Sequence, residues 1–280
     1  PMLHTIAFLL VALSGAAQAL ESVTLQLKWR HQFQFAGYYA ALEKGYYRDA
    51  GLDVTLVEAT PATNVVEEVV ASRAHYGVGT SELLLARRRS PVVTLAVIFQ
   101  HSPLILLARE DKVGNLHQLA GRDVMLEAHA EELLAYLRKE GVPPESLRIL
   151  PHRQGTGDLI DGKVVAMSAY STTEPFPLRQ AGLRTIEFSP RAVGIDFYGD
   201  NLFTSQQELK QHPERVRAFR AASLRGWEYA MKHPEEIIAL ILARYNTQGL
   251  DRDMLAFEAS RTAQLMQAEL VEIGYMNPGR

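Results

Sequence analysis

The 280-residue chain contains no cysteine. That excludes disulfides, thiolate metal centres, a cysteine nucleophile, and a lipid anchor on a cysteine behind an export signal. Charge of one sign is also scarce in runs. The formal net charge is −3, and the one basic block, Arg87 to Arg89, closes the apolar stretch "ELLLA" as a cationic helix C-terminus. No nucleic-acid footprint is present. The nine histidines include no pair at i, i+4 that would face one metal ion. There is no G-x-S-x-G elbow, and "GVGTSE" lacks the lysine of a phosphate loop. The residues therefore predict no metal, no cofactor and no enzyme. The acidic pairs Glu67/Glu68, Glu131/Glu132 and Glu235/Glu236 fall in helical stretches and read as solvated faces.

What is present begins with "PMLHTIAFLLVALSGAAQAL". A short apolar run followed by the small-x-small site "AQA" predicts that residues 1–19 are a signal peptide, or alternatively an N-terminal anchor. Beyond it, Val23, Leu25, Leu27 and Trp29 alternate with polar residues as a half-buried strand. A helix follows over roughly Phe35 to Lys44, closed by Gly45, and Leu52 to Leu56 alternate again, giving a βαβ unit. The rhythm continues through "TNVVEEVVASR", "YGVG", "SELLLARRR" and "PVVTLAVIFQ", with Asn64 or Thr63 and Ser81 as helix caps. A second such series runs from Leu104 to "RTIEF", and from Ser205 onward the chain is nearly all helical. Alternating strands and helices predict parallel sheets covered on both faces. "FQHSPLILLARED" and "GIDFYGDNLFTS" are extended, and lie where a chain would cross into a second domain and return. The expected fold class is therefore α/β with two lobes: lobe 1 from 20–103 plus 200–280, lobe 2 from 104–199. Two crossover strands would form the hinge, and the helical tail would pack on lobe 1.

In such sheets, ligands bind beyond the carboxyl ends of the strands, at helix N-termini. The residues at those positions are aromatic, amide, hydroxyl or carboxylate. After the first strand come Trp29, Arg30, Gln34 and Tyr38; after later strands come Ser81 and Gln100. In the second series Glu127, Tyr170, Thr173 and Glu174 take the equivalent places, and Asp196 and Tyr198 stand at the return crossing. Rings for apolar walls and a few polar groups for orientation are what a ligand pocket needs. The helix start after Trp29 is expected to point at the ligand.

Several segments together carry a resemblance. "LQLKWRHQFQFAGYYAALEKGYYRDAGLDVTLVEATP", "GTSELLLARRRSPVVTLAVIFQHSPLILLAR", "STTEP", "GIDFYGDNLFTS" and "SLRGWEYAMKHPEE" resemble the NMT1/THI5-like family of periplasmic solute-binding proteins. They look most similar to the version that serves as the sensor of membrane-bound histidine kinases and cyclic-di-GMP enzymes. The resemblance implies a Venus flytrap (periplasmic binding protein type II-like), with Trp29 and Tyr38 stacking on the ligand and Glu174 binding a ligand nitrogen. The family's Asn-Glu-Pro here reads Thr173-Glu174-Pro175, and His75 stands where the family has Asp. The family's enzymatic members make a thiamine pyrimidine precursor and carry a Cys-rich motif, which this chain lacks.

The expected function is extracytoplasmic binding of a small molecule by lobe closure, for transmembrane signalling. Output domains would continue beyond Arg280 in a membrane-anchored protein, with a homodimer as one arrangement. The alternative is a free periplasmic protein serving an ABC permease. Candidate acids outnumber Arg30 and His31, so the expected ligand is cationic or amine-bearing: an amino acid such as arginine, a polyamine or an aminopyrimidine.

Overall fold

A computed structural model describes residues 19–153 and 155–280. The expected export segment lies outside the described residues, apart from its last position. The first series gives β1 (Glu21–Gln26), α1 (Ala36–Glu43), α2 (Tyr46–Asp49), β2 (Leu52–Val57), α3 (Val65–Val70), β3 (Tyr76–Gly79), α4 (Glu82–Ala86) and β4 (Val92–Phe99). The second gives β5 (Leu104–Arg109), β6 (Asp123–Leu126), α5 (Glu131–Lys139), β7 (Arg148–Pro151), α6 (Gly157–Ile160), β8 (Ala166–Tyr170), α7 (Pro175–Gln180) and β9 (Thr185–Phe188). The chain then returns through β10 (Gly199–Ser205) into α8 (Gln206–Gln211), α9 (Pro213–Lys232), α10 (Pro234–Arg244) and α11 (Arg252–Met266).

These strands form two five-stranded sheets, ordered β2-β1-β3-β10-β4 and β7-β6-β8-β5-β9. Neither sheet is wholly parallel, contrary to the alternation rule. In the first, β10 runs antiparallel to both β3 and β4; in the second, β5 runs antiparallel to β8 and β9. Both reversed strands directly follow a crossing. A strand that begins at the hinge must run against strands that end there. The two crossings are bonded: Gly199 pairs with Phe99, and the Ser102 N–H donates to the Phe197 carbonyl at 2.8 Å. A side chain on Gly199 would lie 2.7 Å from Pro103 Cδ, so only glycine lets the strands approach this closely.

Local signals set the helix ends. Gly45, at φ +78°, stops α1 in the left-handed conformation. Asn64 caps α3 by accepting the Glu67 N–H, and Asp251 caps α11 by accepting the Met254 N–H. The helical tail packs on the first sheet's lobe. Phe219 of α9 stacks on Tyr76 and Tyr47, and Trp227 meets the edge of Tyr38. Helices α1 and α9 cross at backbone contact, because a Cβ on Gly226 would collide with the Gly37 carbonyl. Among the described residues no helix is long and apolar enough to cross a membrane.

Candidate functional site

The carboxyl ends of both sheets face one cleft of about 410 Å³, counting its open mouth. From the first lobe, the loop after β1 contributes Lys28 and Trp29, and the turn into α1 contributes Gln32 and Gln34. From the second, Glu127 follows β6 and His152 follows β7, while Ser168 to Tyr170 end β8. Thr173 and Glu174 complete the wall at the start of α7.

Hydrogen bonds fix the polar groups. Gln32 Nε2 donates to Gln34 Oε1 at 2.7 Å, and Gln34 Nε2 donates to Asp200 Oδ2 at 2.7 Å. The Gln34 amide is thus oriented from both ends. The Tyr170 N–H donates to Glu174 Oε2 at 2.7 Å, and the Glu127 N–H donates to Ser168 Oγ at 2.8 Å. Lys28 Nζ bonds the Tyr170 hydroxyl and lies 4.8 Å from that ring's centre, linking the lobes.

The cleft is rich in acid. Glu127 and Glu174 are half-buried as residues, but their carboxyl groups lie inward, and it is the carboxyl that titrates. Burial pushes Glu174 up to about 7 and Asp200 up to about 6, and raises Glu127 as well. Lys28 pulls Asp200 and Glu127 back down in part. Asp200 also sits at φ +47° with Oδ1 unpartnered, both uncommon for a buried aspartate. Among the described residues no group of three or more His, Asp or Glu is placed to hold a metal ion.

The structure gathers Trp29, Gln34, Glu127, Tyr170, Thr173 and Glu174 around the cleft and leaves the other six candidates out of its lining. Tyr38 is buried in the first lobe's core against Trp227, its hydroxyl unpartnered. Arg30, whose buried Nε has no partner, lies near Glu58; burial opposes that carboxyl's charge, but the His31 N–H and the Thr247 hydroxyl hold it below its ordinary value, and the His31 and Arg30 charges add to this. Gln100 donates to the Tyr275 carbonyl and ties down the C-terminal segment. Asp196 pairs with His101, Arg191 and Arg280, and the Tyr198 hydroxyl accepts the Asn277 N–H. Asp196 and Tyr198 thus hold the C-terminal segment, while Asp200, further along the same crossing, bonds the Gln34 side chain.

Ser81 is not a side-chain cap. Its hydroxyl donates across the lobes to Glu132 Oε2 at 3.1 Å, and Ser102 donates to Oε1 of the same carboxylate. Glu132 is therefore not on a solvated face, being only 4% exposed. The helix start is also not free. The Phe33 and Gln34 N–H groups donate to Glu258 of α11 at 3.0 and 2.9 Å.

Sequence reasoning missed Lys28, Gln32, His152, Ser168 and Ala169. For Lys28 a signal existed. The apolar alternation runs on to Trp29, but β1 ends at Gln26, so Lys28 is the first cation beyond the strand's carboxyl end.

A model described as NMT1/THI5 like matches residues 32–237. The chain belongs to this family. Its relatives include a riboflavin-binding protein of Chloroflexus aurantiacus, 29% identical over 81% of this chain and 68% of that one. A formylaminopyrimidine-binding protein of Halalkalibacterium halodurans is 24% identical over 80% of this chain and 71% of its own length. A yeast (Saccharomyces cerevisiae) 4-amino-5-hydroxymethyl-2-methylpyrimidine phosphate synthase is 21% identical over 76% of this chain and 68% of that one. The relatives thus include proteins named as binding proteins and proteins named as synthases. Among solved structures, the periplasmic aliphatic sulphonate-binding protein of Escherichia coli superposes with a TM-score of 0.67, covering 91% of this chain and 96% of that one. At 15% identity that likeness establishes the fold, a two-lobed flytrap.

Proposed function

We propose that the protein is an exported, non-enzymatic solute-binding protein that closes on a small amine-bearing or nitrogen-heterocyclic molecule and presents it to an ABC permease. One observation carries the ligand class: Glu127 and Glu174 line the cleft, Asp200 stands behind its Gln34 amide, and Lys28 is the one Lys or Arg among the described lining residues. Buried acids need positive or hydrogen-bond-donating partners, and Trp29 offers a ring for stacking or cation–π attraction. The names of the two bacterial relatives, which bind riboflavin and formylaminopyrimidine, support a ligand with ring nitrogens. They also favour the importer role over the sensor role expected from the sequence. The binding residues are Trp29, Gln34, Glu127, Tyr170, Thr173 and Glu174, with Lys28 bridging the lobes beside them, and the lobes are 20–103 plus 200–280 and 104–199.

A thermal-shift panel tests this. Arginine, putrescine, an aminopyrimidine and riboflavin are compared with methanesulfonate and nitrate. At least one of the first group should raise the melting temperature with saturation. A response to the anions alone would refute the ligand class.

A further inference from the structure

We propose that the outer side of α4 and the turn behind it, from Leu84 to Arg89, is a docking surface for an anionic phospholipid bilayer. Two leucines would enter the headgroup region and three arginines would meet lipid phosphates. The proposal does not depend on which ligand the cleft takes.

Helix α4 buries only Leu83. Leu84 and Leu85 are 63% and 50% exposed. Arg87, Arg88 and Arg89 follow at once, and all three are exposed. A helix C-terminus attracts a cation, but so short a helix does not call for three. None of them forms an ion pair among the described residues. The neighbouring acids are engaged elsewhere. Glu82 of the same helix accepts from the Thr80 N–H and hydroxyl. On α3, which packs against α4, Glu68 is paired with Arg73, and Glu67 acts on the same arginine. Positive charge is thus left uncompensated beside exposed apolar surface, on a chain whose net charge is −3.

The complement of such a patch is negative charge with an apolar layer behind it, which an anionic bilayer provides. The arrangement around the helix axis fits this partner. Backbone bonds from the Arg87 N–H to the Leu83 carbonyl and from the Ser90 N–H to the Ala86 carbonyl continue the helical turn through the arginines. At about 100° per residue, Leu84, Leu85 and Arg88 share the outer side, with Arg87 and Arg89 flanking them. Leu83 and Ala86 take the inner side and pack into the lobe. An apolar centre flanked by cations is the pattern of a helix lying in a membrane interface, where long basic side chains reach up to the phosphates. A specific protein interface needs about 800 Å² on each partner, more than five side chains on one short turn present. Ser81, just before α4, donates across the lobes to Glu132, so the patch adjoins the lobe junction and docking would hold that junction near the membrane.

The test is sedimentation of the full chain with vesicles of phosphatidylcholine alone and of phosphatidylcholine with about one-third phosphatidylglycerol. Residues 1–19 contain no lysine or arginine, so membrane affinity of that stretch cancels in the ratio of the two partition coefficients. An arginine at an anionic surface strengthens binding about fivefold, so wild type should prefer the anionic vesicles by at least about tenfold at low salt. High salt should abolish the preference. The triple variant Arg87→Gln/Arg88→Gln/Arg89→Gln should lose most of it, and Arg87→Lys/Arg88→Lys/Arg89→Lys should keep it to within about threefold. Leu84→Ser/Leu85→Ser should bind the anionic vesicles at least about fivefold more weakly than wild type. All five side chains are on the surface, so melting temperatures should match wild type. Equal partition of wild type into both kinds of vesicle would overturn the proposal, as would a glutamine variant that keeps the wild-type preference. A leucine variant that binds like wild type would also overturn it, because charge alone points to an acidic protein partner instead. If the glutamine variant does not fold, wild type and the lysine variant still decide: a preference that survives high salt, or that lysine abolishes, refutes the proposal.

Discussion

Replacing Glu174 by Gln measures whether the cleft stores an acid whose charge waits for a ligand. Burial pushes this carboxyl from an ordinary 4.5 up to about 7. The Tyr170 N–H, 2.7 Å from Oε2, pulls the other way without offsetting burial. The sign follows from proton binding. Between pH 4.5 and 7 the native carboxyl holds a proton that the unfolded chain has released. Stability from this group is therefore greatest below 4.5, falls as pH rises toward 7, and is level above it. Each unit of pKa difference is worth about 1.4 kcal/mol, so the change from pH 5 to pH 8 is about 2 to 3 kcal/mol. Gln at 174 does not titrate. His31, His75 and His152, whose pKa values burial lowers, are common to both proteins and cancel in the difference, whereas Glu127 and Glu258 feel the Glu174 charge and lose part of their own upward shift in the variant, which acts in the same direction. Urea unfolding of the ligand-free proteins at pH 5 and pH 8 should then show the variant gaining about 2 to 3 kcal/mol on wild type at the higher pH, a midpoint shift of roughly 1 M. A difference that stays constant between the two pH values would refute the reasoning, because it would mean that Glu174 is ionised and already partnered in the empty cleft. The same titration bears on ligand: a cation should bind more weakly as pH falls through 7.

Other substitutions probe other links. Lys28→Met removes the cation of the cleft and should tighten binding of a cationic ligand roughly tenfold by calorimetry, given the proximity of Glu127, Glu132 and Asp200; unchanged or weaker binding would argue for an anionic ligand group at Lys28. Glu132→Ala strips the shared acceptor from Ser81 and Ser102 and should weaken the closed arrangement by about 1 to 3 kcal/mol, read as a larger radius of gyration in small-angle scattering. Gly226→Ala forces a methyl group into the Gly37 carbonyl and should cost about 1 to 3 kcal/mol of stability, lowering the melting temperature by several degrees. Tyr38→Phe deletes a hydroxyl that has no partner, so ligand affinity and stability should both hold to within about 1 kcal/mol. A tenfold loss of affinity would return Tyr38 to the site.

The fold was largely legible because its signals are local. Alternation marked the strands, Gly45 and Asn64 marked helix ends, and two extended apolar segments marked the crossings. Strand direction was not legible, because a buried run such as Gly199 to Ser205 reads the same either way. The rule that ligands lie beyond strand ends led to Trp29, Glu127 and Glu174, which do line the cleft, since each stands within four residues of its strand's carboxyl end. It failed where a candidate's side chain turned elsewhere. Tyr38 lies in the second half-turn of α1, where the helix already faces the core. Asp196 and Tyr198 were captured by the C-terminal segment through contacts between residues 84 and 79 positions apart, which no local pattern encodes. Glu258 carries no sequence mark at all. It is a single acid in an ordinary helix, and only packing puts it against residues more than two hundred positions away.

The contacts that join the lobes bear on how a ligand would act. Lys28 to Tyr170 and the serines to Glu132 are hydrogen bonds from one lobe to the other. They give the closed arrangement some stability of its own, so closure need not be driven from zero. Opposing them is the collection of buried acids, each of which would be better solvated if the lobes parted. A ligand shifts such a balance only through affinity that differs between the two arrangements. One that touched Trp29 and Gln34 alone would bind the open and closed lobes almost equally and move nothing. One that reached from Gln34 on the first lobe to Glu174 on the second would gain its second set of contacts only on closure. Donor groups at both ends of the ligand would meet that condition, and a molecule with a single amine should bind without closing the lobes. Small-angle scattering with putrescine and with propylamine distinguishes them: the diamine should reduce the radius of gyration and the monoamine should not. Equal compaction by both would mean that bridging is not the source of closure.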